Sequence, residues 1–136
     1  MIKPIMKSEF FLRLPSEDAG PDDAATGQDL LDTLHEHEHE CVGLAANMIG
    51  VRKRIICVKD GNRALLMYNP QILEQVNAYQ TGEGCLSLIG ERPCTRYRRI
   101  KVEYLDENFV HRIKNFSSYT AEIIQHEIDH LHGILI

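Results

Sequence analysis

The chain has no tryptophan, no C-x-x-C pair among its four cysteines and no excess of positive charge: Lys+Arg number 15 against Asp+Glu 20, for a net charge of −5. Each absence excludes something. No apolar run reaches the roughly 18 residues needed to span a bilayer, and Met1-Ile2-Lys3-Pro4-Ile5 lacks a signal-peptide core, so a cytoplasmic protein without membrane contact is expected. Without paired spacing, Cys41, Cys57, Cys85 and Cys94 default to free thiols in a reducing compartment. Arg92, Arg96, Arg98, Arg99 and Lys101 form the one dense basic patch, which reads as a solvated strand or a carboxylate-binding patch rather than a nucleic-acid footprint. Low-complexity segments, repeats and linkers are absent too, apart from one His/Glu tract.

What is present is an ordinary globular composition, 43% hydrophobic and 26% charged. Residues 1–136 are expected to form one domain, since such a length buries roughly two-thirds of the unfolded surface. After an extended start, Gly20-Pro21-Asp22-Asp23 announces a helix whose stripe of Ala24, Gly27, Leu30, Leu31 and Leu34 continues to about His39. Gly43-Leu44-Ala45-Ala46 is read as turning the chain. Arg54–Val58 and Ala64–Tyr68 read as strands joined by the turn Asp60-Gly61-Asn62. Further β-rich runs lie at Ile72–Val76, Arg99–Leu105 and Val110–Ile113, the last two joined through Asp106-Glu107-Asn108. A final helix is expected from about Tyr119 to His132, capped by Ser117 or Ser118 and stopped at Gly133.

That final helix carries Gln125-His126-Glu127-Ile128-Asp129-His130, an H-E-x-x-H pattern. Residues four apart share one helix face, so His126 and His130 can present both imidazoles to one cation, with Glu127 near enough to reach a water on it. His35-Glu36-His37-Glu38-His39 is a second formal match. It lies in an alternating charge run with nothing apolar to desolvate a site, and reads as a solvated face or an adventitious collector of ions. Around His126 and His130, by contrast, Ile123, Ile124, Ile128, Leu131 and Ile134 supply apolar packing. Cys85, set in Glu83-Gly84-Cys85-Leu86-Ser87, is the candidate third ligand. A Cys-His-His set leaves the fourth tetrahedral position to water, as catalytic rather than structural sites do, and Glu127 would then relay the proton.

Together Glu83-Gly84-Cys85-Leu86-Ser87, the Gln125–His130 helix and Val42-Gly43-Leu44-Ala45-Ala46, supported by Arg54–Val58 and Tyr68-Asn69-Pro70, resemble the peptide deformylase family over nearly the whole chain. The resemblance implies removal of the N-formyl group from formyl-methionyl peptides of new proteins, with one divalent metal ion, Fe²⁺ natively and Zn²⁺ or Ni²⁺ in purified protein. It makes Cys85, His126 and His130 the ligands, Glu127 the general acid/base, and the Leu86 N–H an oxyanion donor. Gly43, Leu44 and Gly84 would pair with the peptide in strand-like fashion. Asp129 would anchor the helix to a basic residue such as Arg96. The implied partner is a formyl-methionyl peptide or nascent chain, at the ribosome, met by a monomer.

Two positions depart from the family's Gly-apolar-Gly-apolar-Ala-Ala-x-Gln. Cys41 stands at the first Gly, where a bulkier residue narrows the entrance, and Met48 stands at the Gln whose amide helps hold the oxyanion. A thioether has no hydrogen to donate. Losing one such donor costs about 10²–10³ in turnover, so weakened activity is expected. Asn47 has an amide but on an extended segment would face the other way. The rivals are a catalytically impaired metal-binding paralogue that holds nascent peptides or another partner, a purely structural metal site, and hydrolysis of another acyl group. The expected fold is α+β: antiparallel or mixed sheets packed around a central C-terminal helix carrying the histidines, with one N-terminal helix outside.

Overall fold

In the computed structural model, which describes residues 1–136, the apolar stripe near the N-terminus becomes a helix because its start is well satisfied. Pro21 opens a single 3₁₀ turn, and the Gly20 N–H donates to Asp23 Oδ2 at 2.9 Å. The chain holds three α-helices: α1 (Glu9–Leu12), α2 (Ala24–Glu36) and α3 (Ser118–Leu131). The stripe on α2 buries Gly27, Leu30, Thr33 and Leu34. The short α1 falls in the stretch read as extended. Four residues are too few for a periodic signal, and α1 is held by Ser8 Oγ accepting from the Phe11 N–H at 3.2 Å.

Five strands form a single antiparallel sheet in the order β1-β2-β3-β4-β5. They are β1 (Gly43–Ala45), β2 (Ile55–Asp60), β3 (Arg63–Cys85), β4 (Leu88–Leu105) and β5 (His111–Ser117). β1 replaces the expected turn at residues 43–46; the turn comes afterwards, as a 3₁₀ stretch over Ala46–Ile49 ending at Gly50. The larger difference lies in β3 and β4, which form one long hairpin through the region between Val76 and Arg99 that had no strand signal. Its side chains are mostly exposed on both faces, so the alternation that marks a half-buried strand is missing. Asn69 and Pro70 do not end the strand. The register shifts between Tyr68 and Gln71, and Asn69 at φ 53° stands out of the ladder, clamping Ala19 through both its N–H and its carbonyl at 2.7 and 2.9 Å.

The β4–β5 turn is organised by Asp106, whose carboxylate accepts from the Asn108 and Val110 N–H groups and from Arg112 Nε at 2.9–3.0 Å. α3 packs across β1, β2 and β4, burying Ile123, Ile124, Ile128 and Leu131 against a core that includes Leu44, Ile56, Met67 and Val102. It begins at Ser118 and stops where Gly133, at φ +75°, leaves the helix. A Cβ there would lie 2.2 Å from the Arg13 carbonyl oxygen, so only glycine fits. The α+β architecture with a C-terminal helix on the sheet and an N-terminal helix beside it is therefore as expected, its strands following the antiparallel alternative and gathered in one sheet.

Candidate metal centre

Helical spacing brings His126 and His130 together on the face of α3 turned to the sheet. Their Nε2 atoms stand 3.2 Å apart, with ring planes at 71°. Cys85 ends β3 beside them, and the three donor atoms all lie within 4.8 Å of one another. His130 has no exposed surface and His126 almost none, while Cys85 is half-buried. A tetrahedral cation with bonds of about 2.0–2.3 Å holds its donors roughly 3.3–3.7 Å apart, close to the imidazole separation seen here. Two nitrogens and one sulfur form a set suited to a borderline or soft divalent metal.

The electrostatics point the same way. Burial works against charge on His126, but its hydrogen bonds to Cys85 and Glu83 prevail and hold its pKa up at about 10. Burial and then the charge of His126 drive His130 down to about 3. Without metal the pair thus shares one proton, held on His126 and facing the lone pair of His130, and a bound metal ion would take the place of that charge with both rings neutral. His126 Nδ1 lies 2.8 Å from Glu83 Oε1, which orients the ring so that Nε2 points at the other donors.

Glu83 is the functional position that motif reading passed over. Besides His126 it receives Arg96 through Nε at 3.1 Å and Nη2 at 2.7 Å, and Arg96 Nη1 reaches Asp129 at 2.6 Å. Asp129 and Arg96 are therefore direct partners, and the same guanidinium also holds Glu83, the carboxylate two residues before Cys85. In a strand, residues two apart face the same side, which was the available signal. The Arg96 guanidinium and the His126 ring keep Glu83 ionised far below the usual carboxylate range, against the cost of burial.

Glu127 is 3% exposed, and its Oε1 has no hydrogen-bond partner. Burial raises its pKa to about 7, although the His126 charge pulls it down. Gly43 is what admits this side chain, since a Cβ there would meet Ile123 Cγ2 at 2.7 Å and Glu127 Oε2 at 2.9 Å. Glu127, His126, Cys85, Leu86, Gly43, Gly84 and Met48 all border one cleft of about 630 Å³. Leu44 does not; its side chain is wholly in the core. Met48 is 1% exposed, and its Sδ lies 3.5 Å from the Ala45 N–H, as an acceptor. Asn47 points elsewhere, donating Nδ2 to the His130 carbonyl at 2.8 Å, and it does so from a 3₁₀ turn rather than an extended segment. Cys41 borders the cleft with its Sγ 2.9 Å from the Gly43 carbonyl oxygen. The other H-E-x-x-H match is solvated: α2 ends at Glu36, His35 is 82% exposed, and His35 and His37 pair locally with Glu38 and Glu40. Cys57 is a small buried hydrophobe.

A cysteine and two helix-borne histidines around a cleft, beside a buried carboxylate of raised pKa, define a metal-dependent hydrolase. The profile of the family described as Polypeptide deformylase matches residues 6–136. A peptide deformylase of Clostridium beijerinckii is 52% identical over 136 residues, covering 100% of each chain. Among solved structures, the peptide deformylase of Thermus thermophilus superposes with a TM-score of 0.89 at 34% identity, over 99% of this chain and 84% of that one. A Met-Ala-Ser-bound class I type b peptide deformylase from Acinetobacter baumannii gives 0.87 at 31% identity, over 99% and 97%. The chain belongs to the peptide deformylase family, and its activity is that family's metal-dependent amide hydrolysis.

Proposed function

We propose that residues 1–136 act as one cytoplasmic, monomeric domain that removes the formyl group from formyl-methionyl peptides of nascent chains at the ribosome, with Fe²⁺ as the native ion and Zn²⁺ or Ni²⁺ able to replace it. A relative holds Met-Ala-Ser, the kind of peptide such a reaction leaves behind. Cys85, His126 and His130 hold the ion, which when bound supplies Lewis acidity toward the formyl oxygen and lowers the pKa of water. Glu127 accepts the proton as water adds to the formyl carbon and returns it to the departing amine as the C–N bond breaks, leaving formate and a free N-terminus. A carboxyl poised near neutrality suits both halves of that transfer. The backbone of Gly43, Leu44 and Gly84 receives the peptide as an added strand along the cleft. Only the backbone of Leu44 is available for this, since its side chain is buried. Arg96 holds α3 directly through Asp129 and holds the His126 ring through Glu83.

The Leu86 N–H serves the oxyanion without help from the position the family gives to glutamine. Met48 is the observation that carries this reading: a thioether accepts and does not donate, and the neighbouring amide of Asn47 is committed to His130. Turnover is expected to be about 10²–10³ below what a second donor would allow. Formate release from a formyl-Met-Ala-Ser peptide, measured under anaerobic conditions with Fe²⁺-loaded protein, tests it against Met48→Gln. The variant is expected to gain that factor in kcat with KM little changed. Brisk wild-type turnover with no gain would sink the weakened-activity reading, and silence of both proteins would point to a metal-binding paralogue that holds peptides without cleaving them.

A further inference from the structure

The N-terminal arm touches two walls of the metal centre with two consecutive residues. The Met6 N–H donates to the Met48 carbonyl at 2.7 Å, and the Lys7 ammonium donates to the Leu86 carbonyl at 2.6 Å. Met48 and Leu86 both border the cleft. Ser8 follows at once as the cap of α1, so the backbone is held on either side of Lys7. An exposed lysine on a carbonyl ordinarily contributes little, because water competes for both groups. Two features set this one apart. The bond is short and charge-assisted, and Lys7 forms no ion pair that would divide its charge. Its acceptor, moreover, belongs to the amide between Leu86 and Ser87, whose N–H donates to Cys85 Sγ at 3.4 Å. One peptide group therefore carries a cation at its oxygen and a metal-ligating sulfur at its nitrogen.

Hydrogen bonds in such a chain polarise one another. The ammonium draws electron density toward the carbonyl oxygen, and the N–H becomes a stronger donor to the sulfur. Taking the deformylase reading as its basis, we infer that Lys7 is a positioning residue of the metal centre, acting through the Leu86–Ser87 amide on the Cys85 thiolate and on the adjacent Leu86 N–H. A thiolate that shares its charge with the Ser87 N–H donates less to the ion and leaves it the stronger Lewis acid. Hydrogen bonds to a ligating sulfur tune metals in this way. Pinning the Leu86 carbonyl also limits rotation of the residue whose own N–H faces the oxyanion. Lys7 touches neither substrate nor metal; its effect passes through one amide.

The test uses the full chain loaded with Co²⁺, whose thiolate-to-metal charge-transfer band reports on the sulfur, and compares Lys7→Met and Lys7→Arg with wild type. Lys7→Met keeps an apolar stem and removes the charge and its donors. Its band is expected to move to longer wavelength, because a sulfur with a weakened N–H partner holds its electrons less tightly. Lys7→Arg is expected to return the band to the wild-type position. With Fe²⁺-loaded protein and formyl-Met-Ala-Ser, kcat of Lys7→Met is expected to fall about tenfold with KM little changed, the low end of what losing a partner of a metal ligand costs, and Lys7→Arg to restore it. A band unmoved in Lys7→Met, or moved equally in Lys7→Arg, overturns the inference, as does a moved band with unchanged kcat in a protein that turns over. A band that moves as expected while neither wild type nor variant releases formate counts against the deformylase reading and supports the link from Lys7 to Cys85.

Discussion

Glu127 concentrates the chemistry of this protein into one side chain, and burial is what sets its behaviour. Its pKa is raised to about 7, so in the chelated protein the folded state keeps a proton that the unfolded chain loses near the ordinary glutamate value. A raised carboxyl pKa penalises folding as pH climbs from about 4.5 to 7, because there the unfolded state gains an ionisation that the folded state resists. Glu127→Gln is therefore expected to stabilise the chelated protein relative to wild type by about 2–3 kcal/mol at pH 8 and by little at pH 4, read from denaturant melts at both values. The same variant should retain the metal, measured by elemental analysis, and lose formate release. Loss of the metal as well would remove Glu127 from its role as proton carrier. The pairing of this carboxylate with two histidines was legible in the order of residues, since a helix repeats its faces every three to four positions. The Glu83 link to His126 and Arg96 was not, because 43 residues separate Glu83 from the ring it orients.

The site exists because elements meet at short distances. β1 passes so near α3 that Gly43 alone fits, and Gly43→Ala forces its new methyl toward Ile123 and Glu127. Ile123 is β-branched and stiff, so most of the adjustment falls on the Glu127 carboxylate. The variant is expected to lose about 1–3 kcal/mol of stability and, more tellingly, to lose kcat beyond what its folded fraction explains. On the other side of the helix Arg96 ties α3 to β3 and β4 through Asp129 and Glu83. This ion network is largely buried, with the Arg96 side chain 5% exposed. Removing one partner strands the others, so Arg96→Ala should cost about 3–5 kcal/mol in chemical denaturation and weaken metal retention, since His126 loses its fixed orientation. A cost below about 1 kcal/mol, the range of exposed pairs, would show that water replaces the guanidinium without strain. The long β3–β4 hairpin that carries Glu83, Cys85 and Arg96 had no clear sequence signature between Val76 and Arg99, because its exposed faces place no alternating apolar residues on the page.

At the scale of the whole molecule, the metal joins the C-terminal helix to the end of β3, so binding and folding are coupled. A ligand set assembled only in the folded state should make stability depend on metal concentration. With free metal at about 100 times its dissociation constant, the melting midpoint is expected to rise on the order of 10 °C above that of chelated protein, and the rise should vanish in His126→Ala. An undiminished rise in that variant would assign the effect to the exposed His35-Glu36-His37-Glu38-His39 tract instead. What the order of residues determined by itself was local and periodic: the two helices, the β2–β3 and β4–β5 turns, the paired histidines with Glu127 between them, and the thioether at position 48. Helical repeats and turn preferences act over a few residues, so they are written in adjacent ones. Tertiary structure alone decided which of two H-E-x-x-H segments is buried beside a cysteine, and how Glu83 and Arg96 close around His126. Those outcomes depend on strands and helices far apart in the chain being brought to contact by burial of the core, and burial is a property of the assembled sheet and helix rather than of any one segment.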